Sequence, residues 1–192
     1  MRIIAGSAGG IPLRLPKHDI RPTTEKIRGA IFSSLGDRVI GAKVLDLFAG
    51  SGAFGLEALS RGAANATFVD HHRDAIVAIQ SNFDKTKLRG AIIRLDVFGF
   101  LKSNREQFDL VFADPPYAKN PGDTDAASAL LLSPFAPAAL GPDGLLILER
   151  ATGSPPIDPG IWSVMRAKRY GATEVVILTP QARDSTEMTD EK

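Results

Sequence analysis

The chain has 192 residues, enough for one domain with a sizeable core. It contains no cysteine, which excludes disulfides, thiolate metal sites and a cysteine nucleophile and fits a reducing cytoplasm. The net charge of +1 is unevenly spread: residues 1–43 hold eight Lys/Arg against three acids, net +5, while 44–180 and 181–192 each carry −2, so a polyanion contact is expected at the N-terminal end.

The chain opens with glycines and prolines among basic residues (Gly6, Gly9, Gly10, Pro12, Pro16, Pro22). This reads as an extended arm with a short hairpin near Gly9-Gly10. It has no long apolar run of the kind a signal peptide needs. Thr23 is placed to cap a helix. Ile27, Ala30, Ile31 and Leu35 form its apolar stripe and Gly36 its stop. From residue 43 the pattern changes. Short apolar runs at 43–48, 66–70, 91–96, 108–114 and 144–150 alternate with helical stretches at 53–61, 74–85, 97–104 and 124–140. The last of these is interrupted near Pro134 and Pro137, and a closing pair at 162–168 and 173–179 suits a hairpin. Such alternation predicts an α/β fold whose parallel sheet is covered on both faces. No apolar run reaches the roughly 18 residues of a membrane span, so no membrane partner is expected. His71 and His72 are neighbours and do not face one ligand together, so no metal is expected either.

Ligands of such sheets bind beyond the C-terminal strand ends. Asp46, Asp70, Asp96 and Asp114 all fall at or near those ends. Gly50-Ser51-Gly52-Ala53-Phe54-Gly55 spells G-x-G-x-x-G, and Asp70 follows where a ribose-binding acid of a nicotinamide enzyme would lie. Yet glycines suit any loop that lets backbone approach a ligand. The more informative frame is Asp46-Leu47-Phe48-Ala49-Gly50-Ser51-Gly52. An acid at the base of the loop opposes a pyrophosphate and suits a cationic ligand.

That frame resembles motif I of the class I methyltransferases. The resemblance implies S-adenosylmethionine as cofactor, held by Asp46, Phe48, Ala49, Gly50, Ser51 and Gly52. It further implies ribose binding by Asp70 beside His71, adenine recognition at Asp96 and Val97, and Asp114 close to the reacting group. Asp114-Pro115-Pro116-Tyr117 resembles the motif of methyltransferases that modify exocyclic amines of bases. Two fixed acceptors, the Asp114 carboxylate and the Pro115 carbonyl, could hold an amine with its lone pair aimed for transfer. Pro115 and Pro116 stiffen the loop, and Tyr117 offers a ring for an extruded base.

Arg2-Ile3-Ile4-Ala5-Gly6, Arg21-Pro22-Thr23-Thr24 with Lys26-Ile27-Arg28, and LDLFAGSGAFGLEALSRGA resemble the RsmD-like bacterial 16S rRNA guanine-N2 methyltransferases over residues 2–179. One departure is His72, where the family often carries a second acid. The resemblance implies a class I, Rossmann-like fold with a seven-stranded, mostly parallel sheet, a C-terminal antiparallel hairpin and a short basic N-terminal extension. The implied division is 1–36 facing RNA, 37–180 the methyltransferase domain and 181–192 a disordered polar tail. The implied activity is methyl transfer to guanine N2 in 16S rRNA of an assembling small ribosomal subunit, by a cytoplasmic monomer. Arg2, Arg14, Arg21, Thr23, Lys26, Arg28 and Tyr117 are the expected nucleic-acid contacts. An N6-adenine methyltransferase acting on DNA or RNA, and a catalytically silent RNA-binding assembly factor, are the alternatives.

Overall fold

A computed structural model describes residues 1–17, 24–117 and 125–181. The elements in chain order are α1 (Glu25–Leu35), a 3₁₀ turn (Gly36–Val39), β1 (Lys43–Leu47), α2 (Ala53–Ser60), β2 (Asn65–Asp70), α3 (Arg73–Thr86), β3 (Ala91–Arg94), α4 (Val97–Ser103), β4 (Phe108–Ala113), α5 (Ala126–Leu132), α6 (Phe135–Ala138), β5 (Leu140–Ala151), β6 (Trp162–Tyr170) and β7 (Thr173–Pro180). The strands form one seven-stranded sheet in the order β3-β2-β1-β4-β5-β7-β6. β1 to β5 run parallel, and β7 lies antiparallel between β5 and β6. The expected mostly parallel sheet with a C-terminal antiparallel hairpin is thus observed.

Side chains alternate across the strands, so each strand feeds two cores. Val44, Phe68 and Phe112 face α1, α2 and α3 with the N-terminal segment. Leu45, Leu47, Val111 and Leu148 face α4, α5 and α6. Phe32 of α1, Phe54 of α2 and Phe112 of β4 stack with ring centroids 5.1–6.5 Å apart, which fixes both helices over the sheet centre.

Several boundaries differ from those read in the sequence. The cap of α1 is Thr24, whose Oγ1 accepts from the Ile27 amide at 3.3 Å; Thr23 lies outside the described residues. β1 ends at Leu47 because Phe48 turns left-handed (φ 55°). β3 ends at Arg94 because Asp96 has become the cap of α4, accepting from the Gly99 amide at 2.9 Å. β5 starts at Leu140, before the apolar run that marked it.

Residues 1–13 fold back on themselves as a narrow hairpin, with Arg2 bridged to Pro12 and the Ile3 amide donating to the Ile11 carbonyl. The hairpin lies on α2. Its turn approaches so closely that a Cβ on Gly6 would sit 1.8 Å from the Ser60 carbonyl oxygen. Ser60 Oγ accepts from the Ala8 amide and donates to the Ala5 carbonyl. Ile3, Ala8 and Leu13 join the core on that side.

Candidate active site

The C-terminal ends of β1, β2 and β4 bring three carboxylates together. Asp46 pairs in register with Phe68 and Phe112, so its side chain leaves the sheet between two buried rings. Its Oδ2 accepts from the Gly55 amide at 2.9 Å. Burial drives the Asp46 carboxyl well above the ordinary carboxylate range. The Gly55 hydrogen bond opposes this, the Asp114 and Asp70 charges add to it, and the Arg28 guanidinium opposes it again. A cationic ligand would relieve the crowding; an anionic one would worsen it.

The loop between β1 and α2 is built to approach a ligand with its backbone. Phe48, Gly50 and Gly52 all have positive φ (55°, 55° and 75°). Phe48 bears a side chain in that region, a strained placement of a kind that collects at ligand sites. The Gly50 amide donates to Asp70 Oδ2 at 2.9 Å, the Ala49 amide to the Val69 carbonyl, and Asn82 Nδ2 to the Ser51 carbonyl. Gly55 lies inside α2, where a Cβ would be 2.4 Å from the Phe68 ring. The third glycine of the G-x-G-x-x-G string therefore serves helix–sheet packing.

Asp70 is 5 % exposed, and its Oδ1 accepts from the His72 amide at 2.8 Å. Each of its oxygens keeps a second lone pair for a ligand hydroxyl. The exposed His71 imidazole stands 4.0 Å from Asp70 Oδ1 and meets the His72 ring at a tilt of 40° with centroids 3.7 Å apart. Asp96 is exposed at the head of α4, followed by the buried Val97. Asp114 and Pro115 follow β4, half-buried and buried, with Pro116 and Tyr117 exposed beyond them. The Tyr117 hydroxyl is 2.9 Å from Thr173 Oγ1, which ties this loop to the start of β7.

The cationic candidates separate. Arg2 is exposed and pairs with Glu25 at 3.3 Å. Arg14 and Lys26 are exposed. Arg21 and Thr23 lie outside the described residues. Arg28 is drawn into the interior at 0 % exposure. It donates to the Arg2 carbonyl and lies 3.7 Å from Glu57 of α2, so it presents no surface to a phosphate.

Two kinds of residue escaped the sequence reading. Glu57 and Asn82 are buried polar groups that hold the N-terminal hairpin and the glycine loop; their only signal was a polar residue within an apolar helical pattern. Phe98, one residue after Val97, meets Phe48 edge-to-face at 6.4 Å on the strand-end rim. A groove of about 350 Å³ lined by Leu101, Arg105 and Phe135 opens where β4 and β5 begin, opposite the acidic rim.

The donor set suits S-adenosylmethionine: crowded carboxylates for its ammonium and sulfonium, Asp70 for ribose hydroxyls, and an open glycine loop. Asp46→Asn tests this. The asparagine oxygen can still accept from Gly55, so the loop is expected to survive. Affinity for S-adenosylmethionine, measured by titration calorimetry, is expected to fall roughly 10- to 100-fold. Stability of the free protein should move the opposite way. A carboxyl raised in the folded state binds its proton more tightly than in the unfolded chain. Wild-type stability therefore falls as pH rises from the ordinary carboxylate range toward the raised value. The asparagine variant escapes that fall, so its Tm should exceed wild type at neutral pH and match it in acid.

Comparison with known proteins agrees with this geometry. The sequence profile of the family described as Conserved hypothetical protein 95 matches residues 1–179. The Ribosomal RNA small subunit methyltransferase D of Haemophilus influenzae is 32 % identical over 177 residues, 89 % of each chain. The hypothetical protein TTHA0928 of Thermus thermophilus superimposes with a TM-score of 0.79 at 29 % identity, covering 93 % of this chain and 99 % of that one. SMU.776, solved in complex with SAH, shares the fold at 18 % identity (TM-score 0.64, 80 % of this chain and 48 % of that one). The fold is that of the class I S-adenosylmethionine-dependent methyltransferases.

Proposed function

The chain belongs to the Conserved hypothetical protein 95 family of RsmD-like methyltransferases, and on that footing we propose that it transfers a methyl group from S-adenosylmethionine to the exocyclic N2 amine of a guanine in 16S rRNA. The observation that carries this reading is the convergence of Asp46, Asp70 and Asp114 on one rim beside the glycine loop. The assembling small subunit in the cytoplasm is the proposed setting.

The cofactor supplies an electrophilic methyl group on a sulfonium. The remaining work falls to the protein. Loop residues 48–52 and Asp46 hold the methionine end, Asp70 the ribose, and Asp96 with Val97 the adenine. A guanine N2 amine is a poor nucleophile because its lone pair is delocalised into the ring. The Asp114 carboxylate and the Pro115 carbonyl accept its two N–H groups and favour a pyramidal nitrogen. The positive charge that develops on nitrogen is met by the same two acceptors. The base is taken out of its stack and rests on the Tyr117 ring, which the Thr173 hydrogen bond holds in place. After transfer the nitrogen loses one proton, for which Asp114 is the nearest acceptor in this scheme.

Labelled methyl transfer to small-subunit particles, followed by digestion to nucleosides, tests the substrate. N2-methylguanosine is the expected product. N6-methyladenosine in its place would transfer the reading to an adenine methyltransferase. Binding without any labelled nucleoside would leave an RNA-binding assembly factor.

A further inference from the structure

β6 is one of the two edge strands of the sheet, and its register is unusual. It pairs Val164 with Leu178 but Arg166 with Ile177, so Met165 is a bulge. Leu178 belongs to the core beneath α4–α6, whereas Ile177 belongs to the core beneath α1–α3. The bulge therefore reverses the parity of the strand. Without it, Arg166, Lys168 and Tyr170 would share the face of Trp162. With it, they line a groove against Ala30, Ile31 and Ser34 of α1.

The groove carries uncompensated positive charge. Arg166 Nη1 donates to Ser34 Oγ at 3.0 Å, and Lys168 Nζ lies 5.3 Å from the Tyr170 ring centroid. Arg169, on the other face, is paired with Glu174 at 3.2 Å. Among the described residues no carboxylate pairs with Arg166 or Lys168. Lys26 is exposed on α1 and stands one and two turns from Ala30 and Ser34 on the same stripe. Three cations from two elements thus flank one groove. Its upper end meets the candidate catalytic loop, because Tyr170 pairs with Thr173 and Thr173 is bonded to Tyr117. Charge on an edge strand also prevents sheet-to-sheet association. That purpose requires neither a bulge that turns the charges onto α1 nor a serine that receives one of them.

We propose that the α1–β6 groove is the track for the RNA backbone, with Arg166, Lys168 and Lys26 on successive phosphates as the target base enters at Tyr117. The proposal rests on the rRNA reading above and adds a surface that the N-terminal charge count did not reveal. The test uses the full chain and a 16S rRNA transcript, with binding measured over a range of KCl concentrations. Arg166→Glu/Lys168→Glu is expected to weaken binding at least tenfold. The log–log salt slope should fall by about 1–2, as for two lost phosphate contacts. KM for RNA should rise while kcat at saturating RNA and S-adenosylmethionine affinity are kept. The milder Arg166→Gln/Lys168→Gln should shift the same quantities less. Lys85→Glu/Lys102→Glu, on exposed positions of α3 and α4 with the same change in net charge, should bind nearly as wild type. Unchanged affinity and slope in both groove variants would overturn the track, as would an equal loss in the α3/α4 control. A wild-type chain that neither binds nor methylates rRNA would overturn the substrate reading together with it.

Discussion

Asp114→Ala is expected to lower kcat for methyl transfer by about 10²- to 10³-fold, the usual consequence of deleting one preorganised group aimed at developing charge. RNA affinity should stay within a few-fold of wild type, because the proposed phosphate contacts lie elsewhere. Cofactor affinity should change little or improve slightly. The Asp114 charge is one cause of the raised Asp46 carboxyl, and removing it lets Asp46 ionise more readily. Asp114→Asn should fall between the two, since its amide oxygen accepts one hydrogen bond without carrying charge. Single-turnover rates with both substrates saturating separate this from a binding defect. Full activity in the alanine variant would remove Asp114 from the mechanism.

Glu57→Ala is expected to cost stability rather than chemistry, by roughly 3–5 kcal/mol. Glu57 is fully buried, and its two oxygens accept from the Ile4 amide (2.7 Å), the Ala5 amide (3.1 Å) and Arg61 Nε (2.7 Å). It is also the carboxylate partner of Arg28, whose Nε and Nη1 make no hydrogen bond among the described residues. Truncation would take from a buried guanidinium its ion-pair partner, leaving only the more distant Glu25 charge, and would leave two amides unmet. For a domain of this size such a loss lowers Tm by about 6–20 °C. The damage should be local first: hydrogen exchange at Ile4 and Ala5 should lose protection before the sheet does. Glu57→Gln, which keeps shape and one acceptor, should be the milder variant. A Tm within a degree or two of wild type would show that the hairpin is held by its apolar contacts alone.

Much of the architecture was legible because its causes are local. The five parallel strands are short apolar runs, and each helix between them carries its own stripe. The acids at the strand ends are visible because a strand that stops at Asp and a loop of glycine or proline says so within six residues. DLFAGSG and DPPY could therefore be placed on one rim before any coordinates. Two of the boundaries that slipped did so where the backbone turns at a strand end, Phe48 in its left-handed turn and Asp96 as a helix cap; the start of β5 at Leu140 precedes the apolar run that signals it.

Arg28 shows what local pattern could not reveal. Its position beside the α1 stripe is compatible with a solvated charge. Its burial comes from a hairpin 26 residues upstream and an acid 29 residues downstream meeting over it. The basic groove has the same character. Arg166, Lys168 and Tyr170 are spaced as one face of any strand, and which face that is was decided by the bulge at Met165.

By itself the amino-acid sequence determined the fold class, the rim on which the acids gather and the residue types that suit a cationic cofactor and an exocyclic amine, because periodicity and turn chemistry act over a few residues. Only the tertiary structure decided which charges are tools and which are struts. That choice depends on burial and counter-charge, and these are set by segments far apart in the chain.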